Sequence, residues 1–156
     1  MSYKIPISVL VVIHTGDLRV LLLERAGHPG YWQSVTGSLD RPHEPLPAAA
    51  AREVLEETGI HRRPEEFCGW NVANTFEIFR MWRHRYAPGV EQNVEHVFSL
   101  EVDLGQSIRL APAEHTAHLW LPWPEAAEMC FSWSNRDAIR MLPERALHRG
   151  ATRDGG

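Results

Sequence analysis

Apolar and alternating stretches divide the chain into predicted strands. Residues 5–13 are almost entirely apolar and rich in β-branched side chains, and residues 18–24 follow after turn residues at 14–17. This pattern predicts a buried hairpin. Residues 31–36 predict a short strand that continues directly into Gly37. Two further strands are predicted at residues 94–102 and 117–121.

The stretch from Phe67 to Arg85 predicts one long strand with a bend, because Phe76 and Ile78 alternate with their neighbours. Its end, residues 83–86, combines basic and aromatic side chains. Such a cluster is typical of a solvated strand end. Beside a phosphate site, an arginine there could instead bind phosphate oxygens and stack on a flat ring.

Three helices are predicted between these strands. The first spans residues 46–58, because Pro45 and Pro47 suit a helix start. An alanine run follows, and Gly59 suits the left-handed position after the helix end. Residues 124–129 and 134–147 predict the other two. Strands interrupted by helices indicate an α+β fold around a mixed sheet.

The first helix has two contrasting faces. At about 100° per residue, one arc is apolar and is expected to pack on the core. That arc contains Ala48, Ala51, Val54 and Leu55. The opposite face carries Glu53, Glu56 and Glu57, with Ala49 and Ala50 beside them leaving room for a ligand. Like charges at this spacing repel, so a cation is expected there, although a solvated acidic face is the alternative.

A divalent metal would satisfy such a glutamate face. Mg²⁺ takes carboxylate, carbonyl, water and phosphate oxygens, and it activates water for attack on phosphates. The nine histidines do not show the paired spacing beside a glutamate that a zinc protease needs. The three glutamates alone leave two readings open, a solvated acidic helix face, which is the more common of the two, and a Mg²⁺ site that binds phosphates.

Composition narrows the class of protein. The length of 156 residues, 44% hydrophobic, suits one domain, which we place at residues 1–148, with a disordered tail at residues 149–156. The net charge of −4 argues against a nucleic-acid polymer as partner. The apolar stretch at residues 5–13 is too short to span a membrane. Cys68 and Cys130 lack metal or redox spacing, so we expect reduced thiols in a cytoplasmic protein.

The stretch from Gly37 to Ile60 resembles the Nudix box. Residues 52–60 read REVLEETGI, and Glu44 and Gly37 precede them in the order that the family uses. One departure lies in the loop: residues 38–43 make it one residue longer than the family pattern, so His43 stands where counting from Gly37 would place the glutamate. We assign the role to Glu44, because its distance to Arg52 fits the box.

The resemblance implies a Nudix-type α/β/α sandwich around a mixed β-sheet. It implies metal binding by the carbonyl of Gly37 and by Glu53 and Glu57, with Glu56 in the same shell and Glu114 as a further ligand. Glu114, Glu56 and Glu57 are then the catalytic candidates, and which of them is the general base stays open. Arg52 and Glu44 would form a structural pair that holds the loop to the helix.

Segments that extend beyond the box resemble a branch of the Nudix family that acts on pterin triphosphates. They read GYWQSVTGS at 30–38, FEIF at 76–79, RHRYAPGV at 83–90, EH at 114–115 and SWSNR at 132–136. The resemblance implies hydrolysis of 7,8-dihydroneopterin 3′-triphosphate to the monophosphate and pyrophosphate. The expected substrate-binding residues are Lys4, Arg25, Thr36, Phe76, Glu77, Ile78, Phe79, Arg83, Tyr86, Ser132 and Asn135.

Two other functions stay open at this point. The chain could be a nucleoside triphosphate pyrophosphohydrolase of broader or nucleotide-cleansing specificity, because guanine and dihydropterin share much of their hydrogen-bonding edge. It could also be a catalytically silent domain that binds a nucleotide. In each case we expect a small-molecule partner, no membrane, Mg²⁺ with Mn²⁺ as a possible substitute, and a monomer or small homo-oligomer.

Overall fold

The computed structural model describes residues 2–154 of the chain, and the side chains of residues 2–146. The seven strands are β1 (Ile7–His14), β2 (Arg19–Arg25), β3 (Trp32–Gln33), β4 (Val35–Ser38), β5 (Cys68–Glu77), β6 (Gln92–Glu101) and β7 (His115–Pro122). The helices are α1 (Leu46–Thr58), α2 (Trp123–Met129) and α3 (Trp133–Asp154). Two short 3-10 helices span Pro64–Glu66 and Arg80–Arg85.

The strands form one mixed sheet. Its main order is β3-β2-β1-β6-β5, while β4 pairs with β1 and β7 pairs with β2. β1 and β6 run parallel over eight residue pairs, and the other pairings are antiparallel. One face of the sheet packs an apolar cluster against α1, and the opposite face packs a second cluster against α2 and α3. The predicted α/β/α sandwich is therefore confirmed.

Helix α1 begins and ends where the sequence predicts. Gly59 follows the helix with φ of 76°, and its backbone N–H donates to the carbonyl of Leu55. A residue without a Cβ adopts this left-handed conformation at little cost, so the glycine closes the helix.

The buried face of α1 is rotated by part of a turn from the predicted apolar arc, so that prediction is wrong. Ala49, Ala50 and Val54 are fully buried, whereas Leu55 is 43% exposed. Ala49 and Ala50 therefore belong to the core and do not make room for a ligand. Glu53 and Glu57 share the buried side of the helix, because that side packs partly on the core and partly on β4.

Two strand predictions also need correction. Residues 31–36 do not form one strand, because the ladder breaks at Ser34 between β3 and β4. The long strand predicted from Phe67 to Arg85 ends at Glu77, and the 3-10 helix Arg80–Arg85 replaces its second part. The Arg83 side chain donates to the carbonyl of Ile78, a contact that stabilises the turn and that strand periodicity does not reveal.

The amino half of β1 pairs with β4 rather than with β2. Four residue pairs join β1 to β4, whereas β1 pairs with β2 near its carboxyl end, through His14 and Val20. The predicted hairpin is thus splayed, and β4 lies in the opening, which brings Gly37 to the edge of α1. Among the described residues, no helix is both long and apolar enough to cross a membrane. The predicted tail at 149–156 falls outside the residues with described side chains and stays a prediction.

Candidate active site

Gly37 brings β4 into direct contact with α1. A Cβ atom added to Gly37 would overlap the carboxyl group of Glu53. Only a glycine allows the backbone of β4 to approach the helix this closely. The strand backbone and the Glu53 carboxylate therefore meet without an intervening side chain.

Arg52 holds the loop before α1 to the helix. Its guanidinium donates to both oxygens of Glu44, from Nε at 3.0 Å and from Nη2 at 2.9 Å. The same Nη2 donates to the Ser38 carbonyl at 3.1 Å, and Nη1 donates to Glu53 at 2.8 Å. Glu44 also accepts the Asp40 backbone N–H at 2.7 Å. The predicted Arg52 and Glu44 pair is confirmed, and the longer loop still places Glu44 on Arg52.

Three acidic side chains converge beside Gly37. Glu53 is 8% exposed and Glu57 is 4% exposed, and Glu114 reaches Glu57 from the loop before β7. Ligand atoms of Glu57, Glu114 and His115 all lie within 4.8 Å of one another. Glu57 Oε2 is buried and has no hydrogen-bond partner. The group, which we call the carboxylate cluster, comprises Glu53, Glu57 and Glu114.

Burial and the charges of neighbouring carboxylates shift the carboxyl groups of Glu53 and Glu57 toward their protonated forms. Burial raises the pKa of Glu53 to about 7, although Arg52 opposes the shift. Burial also raises the pKa of Glu57 well above its ordinary value, and the charges of Glu53 and Glu114 add to the effect. Carboxylates that resist ionisation in the absence of a partner are expected to gain from a bound cation.

The residues present fit a divalent metal. The carboxylate cluster offers hard oxygen ligands, the approach of Gly37 exposes backbone beside them, and the unpartnered Glu57 Oε2 lacks a donor within the protein. Glu56 differs from the others, because its side chain is 54% exposed and lies 3.5 Å from Arg52. The predicted metal role of Glu56 stays a prediction.

Basic side chains face the carboxylate cluster. Desolvation is the main cause that lowers the pKa of Lys4, and repulsion from Arg85 lowers it further. The negative charges of Glu53 and Glu114 raise it in part. Desolvation and Arg85 likewise lower the pKa of Arg25, which also feels Glu57. Lys4 and Arg85 are also linked through backbone, since the N–H of Lys4 donates to the Arg85 carbonyl at 2.8 Å. Adjacent acidic and basic groups suit a polyphosphate with its metal.

An aromatic cluster lies next to these basic residues. The Arg25 guanidinium lies 4.3 Å from the centre of the Trp82 ring, and Trp82 contacts Phe79 and Phe131 edge-on. Tyr31 stacks on Phe131 with ring centroids 4.7 Å apart. Phe79 is 46% exposed. Flat apolar faces beside basic side chains suit the ring of a heterocyclic ligand.

The start of α3 contacts the break between β3 and β4. Asn135 is buried; its Oδ1 accepts the Ser34 backbone N–H at 2.8 Å, and its Nδ2 donates to Ser132 Oγ at 2.9 Å. Thr36, which follows on β4, donates through its backbone to Glu57. The hydroxyl of Thr36 lies 3.5 Å from Glu95 on β6. The side chains of Ser132, Asn135 and Thr36 therefore lie on the α3 side of the sheet, and the Thr36 backbone connects them to Glu57 on the α1 side.

Other expected substrate residues lie apart from this group. Glu77 is exposed, and Ile78 is buried with 4% exposure. Arg83 is engaged locally, with the Ile78 carbonyl at 2.9 Å and Glu77 and Glu91 near 4 Å. Phe76 lies half-buried on β5. Tyr86 lies closer to the site, because it pairs with Lys4 in an isolated β-bridge; burial raises the pKa of its hydroxyl, and Ser38, Arg85 and Arg25 oppose that shift.

Sequence reasoning missed several residues of the site. Arg85 was seen only as part of a basic strand end, and Trp82, His115 and Glu95 were not singled out. An isolated glutamate in a strand gives no signal of its own, but its inward register beside Val97 was readable from strand alternation. The positions of Arg85, Trp82 and His115 depend on contacts between segments that are far apart in the chain.

Comparison with known families matches residues 4–142 to the NUDIX domain. The chain belongs to the Nudix family. This Nudix chain is 47% identical over 143 residues to the dihydroneopterin triphosphate diphosphatase of Escherichia coli strain K12, covering 90% of the chain and 93% of that protein. It is 38% identical to the enzyme of the same name from Haemophilus influenzae, covering 90% of the chain and 89% of that protein.

Solved structures give the same assignment. The E. coli dihydroneopterin triphosphate pyrophosphohydrolase superposes with a TM-score of 0.83 at 45% identity, covering 90% of this chain and 97% of that one. An Ap4A hydrolase of C. elegans superposes with a TM-score of 0.69 at 19% identity, covering 91% of this chain and 98% of that one. That more distant similarity shows the shared Nudix fold alone.

Proposed function

We propose that the chain is a Mg²⁺-dependent pyrophosphohydrolase that cleaves 7,8-dihydroneopterin 3′-triphosphate to dihydroneopterin monophosphate and pyrophosphate, a step of folate biosynthesis. The observation that carries the proposal is the 47% identity with the E. coli diphosphatase over nearly the full length of both proteins. The carboxylate cluster and the basic residues that face it support the same reaction class, because triphosphate hydrolysis needs both a metal-binding site and groups that contact the phosphates.

The chain supplies the binding side of this reaction through its basic residues. Lys4 and Arg25 neutralise phosphate charge, and Arg85, coupled to both, extends the same surface. The aromatic cluster around Trp82 and Phe131 holds the ring in place. Together these groups position the linkage between the α- and β-phosphates at the carboxylate cluster.

The carboxylate cluster supplies the hydrolytic side. Glu53, Glu57 and the Gly37 carbonyl would hold the metal, which when bound neutralises phosphate charge and acidifies a water molecule. Glu114 is the proposed general base, because it is exposed to solvent while it also reaches Glu57. It takes a proton from the attacking water, whose oxygen adds to phosphorus as the bridging P–O bond breaks and pyrophosphate leaves.

A substrate panel tests the proposal. Pyrophosphate release is measured with Mg²⁺ from dihydroneopterin triphosphate, dGTP, dATP, 8-oxo-dGTP and ADP-ribose, and repeated with EDTA and with Mn²⁺. The proposal predicts the highest kcat/KM for the pterin and loss of activity in EDTA. Preference for a nucleotide would refute the substrate while keeping the chemistry, and absence of metal-dependent release from every compound would refute the enzyme.

A nucleotide substrate is the second candidate. The aromatic cluster offers flat faces that would accept a purine as readily as a pterin. A nucleoside triphosphate pyrophosphohydrolase would use the same metal and phosphate contacts. The relative kcat/KM values of dGTP and dihydroneopterin triphosphate separate the two.

The working unit in this proposal is residues 1–148. The free thiols of Cys68 and Cys130 fit a cytoplasmic location, where thiols stay reduced. The partner is a small triphosphate, and we propose a monomer or small homo-oligomer in solution. Sedimentation of the full chain with and without Mg²⁺ checks the oligomeric state.

A further inference from the structure

A buried carboxylate with an unpartnered oxygen lies on β6, apart from the carboxylate cluster. Glu95 is 3% exposed, and its Oε1 has no hydrogen-bond partner. Its Oε2 lies 3.5 Å from Thr36 Oγ1, and the Ser134 side chain lies beside the same carboxyl group. Leaving a buried carboxylate oxygen unpaired is unfavourable, so this atom is suited to receive hydrogen bonds from a ligand.

The surroundings of Glu95 are polar and rich in unused hydrogen-bonding atoms. Asn93 lies two residues earlier on β6, so both side chains point to the side of the sheet that α3 covers. Asn93 Nδ2 donates to Ser8 Oγ at 2.8 Å, but its Oδ1 has no partner. Ser34 Oγ is also buried without a partner. A core built only for packing would not leave buried polar atoms of this kind without partners.

This polar region adjoins the proposed reaction site. Thr36 touches Glu95 with its hydroxyl and Glu57 with its backbone. Tyr86 pairs with Lys4 in an isolated β-bridge, and the charges of Arg25 and Glu95 both act on its hydroxyl. A substrate whose phosphates meet the carboxylate cluster could therefore place its ring against Glu95.

We propose that Glu95 is a specificity-determining residue that accepts hydrogen bonds from the adjacent N–H and amino groups of a 2-amino-4-oxo-pyrimidine ring. The inference rests on the proposed function and names the atoms that read the ring. Dihydropterin and guanine both present these two donors side by side, and adenine does not. A carboxylate offers acceptors only, so it matches that edge and disfavours rings without it.

The test compares substrate ratios in Glu95→Gln. With Mg²⁺, we expect the ratio of kcat/KM for dGTP over dATP to fall by about 10- to 100-fold, because glutamine replaces one acceptor with a donor. The ratio for dihydroneopterin triphosphate over dATP is expected to fall similarly. Ser99→Ala is the matched control, since Ser99 lies on the same strand and face but bonds Trp70 Nε1 at 3.0 Å. It should keep both ratios at their wild-type values.

Equal losses on all substrates would assign Glu95 to the scaffold, and unchanged ratios would exclude it from the ring site; either result overturns the inference. If wild-type protein hydrolyses dGTP but not the pterin, the proposed function fails while the dGTP over dATP ratio still tests Glu95. If no substrate is cleaved, dissociation constants of dGTP and dATP give the same ratio. Thermal unfolding verifies that Glu95→Gln folds, and Glu95→Asp, which withdraws the carboxylate, replaces it if it does not.

Discussion

Glu57 carries the strongest conflict between charge and burial at the scale of single residues. The residue is 4% exposed, one carboxyl oxygen has no partner, and burial raises its pKa, with two other carboxylates adding to the shift. A group in this position destabilises the metal-free protein when it ionises and gains most when a cation arrives. Its role in stability and its proposed role in catalysis are therefore opposed.

Glu57→Gln should abolish turnover while leaving the fold intact. We expect kcat/KM to fall by at least about 100-fold, because a neutral amide is a poor metal ligand. We also expect the melting temperature of the metal-free protein at pH 8 to rise, because a buried charge is removed. Pyrophosphate release and thermal unfolding with and without Mg²⁺ check both effects. Glu128→Gln, at an exposed position on α2, should change neither. Full activity of Glu57→Gln at saturating Mg²⁺ would disprove the assigned metal face.

Glu53 predicts how stability depends on pH. Because burial raises the pKa of its folded-state carboxyl to about 7, the folded protein holds this proton more tightly than the unfolded chain. The free energy of unfolding without metal should therefore fall as pH rises from the ordinary glutamate range through about 7. Glu57 and Glu95, whose pKa values are also raised, act in the same direction.

Urea unfolding in EDTA between pH 5.5 and 8 checks this dependence. Glu53→Gln should flatten the part of the slope that Glu53 contributes, and Glu128→Gln should leave it unchanged. Mg²⁺ should raise the melting temperature more at pH 8 than at pH 6, because binding requires ionised carboxylates. A stabilisation by Mg²⁺ that is the same at both pH values would contradict binding at this cluster.

The loop before α1 depends, at the scale of elements, on one arginine. Arg52 joins Glu44, the Ser38 carbonyl and two helix glutamates, so a single side chain ties β4, the loop and α1 together. The Arg52 guanidinium holds the pKa of Glu44 below its usual range. This pair therefore contributes stability above the ordinary pKa of glutamate, and that contribution is lost as pH falls through the lowered value.

Glu44→Ala should loosen this attachment. We expect a loss of about 2–3 kcal/mol in the free energy of unfolding, because the partner arginine is left partly buried without its main acceptor. Urea unfolding at pH 7 measures it. Glu65→Ala is the control, since its pair with Arg63 is exposed on both sides and should contribute less than about 1 kcal/mol. Equal effects of the two substitutions would show that the Arg52 network does not hold the loop.

The 3-10 helix Arg80–Arg85 shows how one element can serve two surfaces. Trp82 points toward Arg25 and Phe131, whereas Arg83 turns back to the Ile78 carbonyl. The segment thus closes the aromatic cluster on one side and stabilises its own turn on the other. Arg85, at its end, accepts the Lys4 backbone N–H through its carbonyl and thus lies beside the basic residues that face the carboxylate cluster.

Two apolar layers, one on each side of the sheet, stabilise the whole molecule. Cys130 lies in the layer beneath α2 and α3, with 3% exposure and its thiol directed at the Ala126 carbonyl. Burial raises the pKa of this thiol to about 12. Cys68, at the start of β5, is only partly buried. The two thiols therefore differ in how deeply they are buried in the fold.

Cys130 should react with a thiol reagent only when the domain unfolds. At pH 8 we expect its labelling to be slower than that of an unfolded thiol by about 1000-fold or more, because so little thiolate is present. Labelling of Cys68→Ser in increasing urea, followed with an aromatic disulfide reagent, gives the rate. Cys130→Ser is the matched variant and should label readily in the native state through Cys68. Fast native labelling of Cys130 would contradict the packing of α2 and α3 over the sheet.

The sequence by itself determined the elements whose causes are local. The bounds of α1 follow from prolines, an alanine run and Gly59, and most strands follow from alternation, so both were predicted within a few residues. The family followed from the spacing of Gly37, Glu44 and the glutamates, because that spacing encodes a metal-phosphate site in contiguous chain. These features depend on residues that are neighbours in the sequence, so they can be predicted from the sequence alone.

Only the tertiary structure decided which surfaces meet. Helical periodicity gives the angle between Leu55 and Glu57 around α1, but it does not say which of them faces the core. The position of β4 against α1 decided that Glu57 is buried and Leu55 exposed. The contact of Glu114 with Glu57 joins segments far apart in the chain. The placement of Glu95 beneath Thr36 likewise depends on strand order. Such contacts arise from long-range packing, to which each local segment contributes only one side.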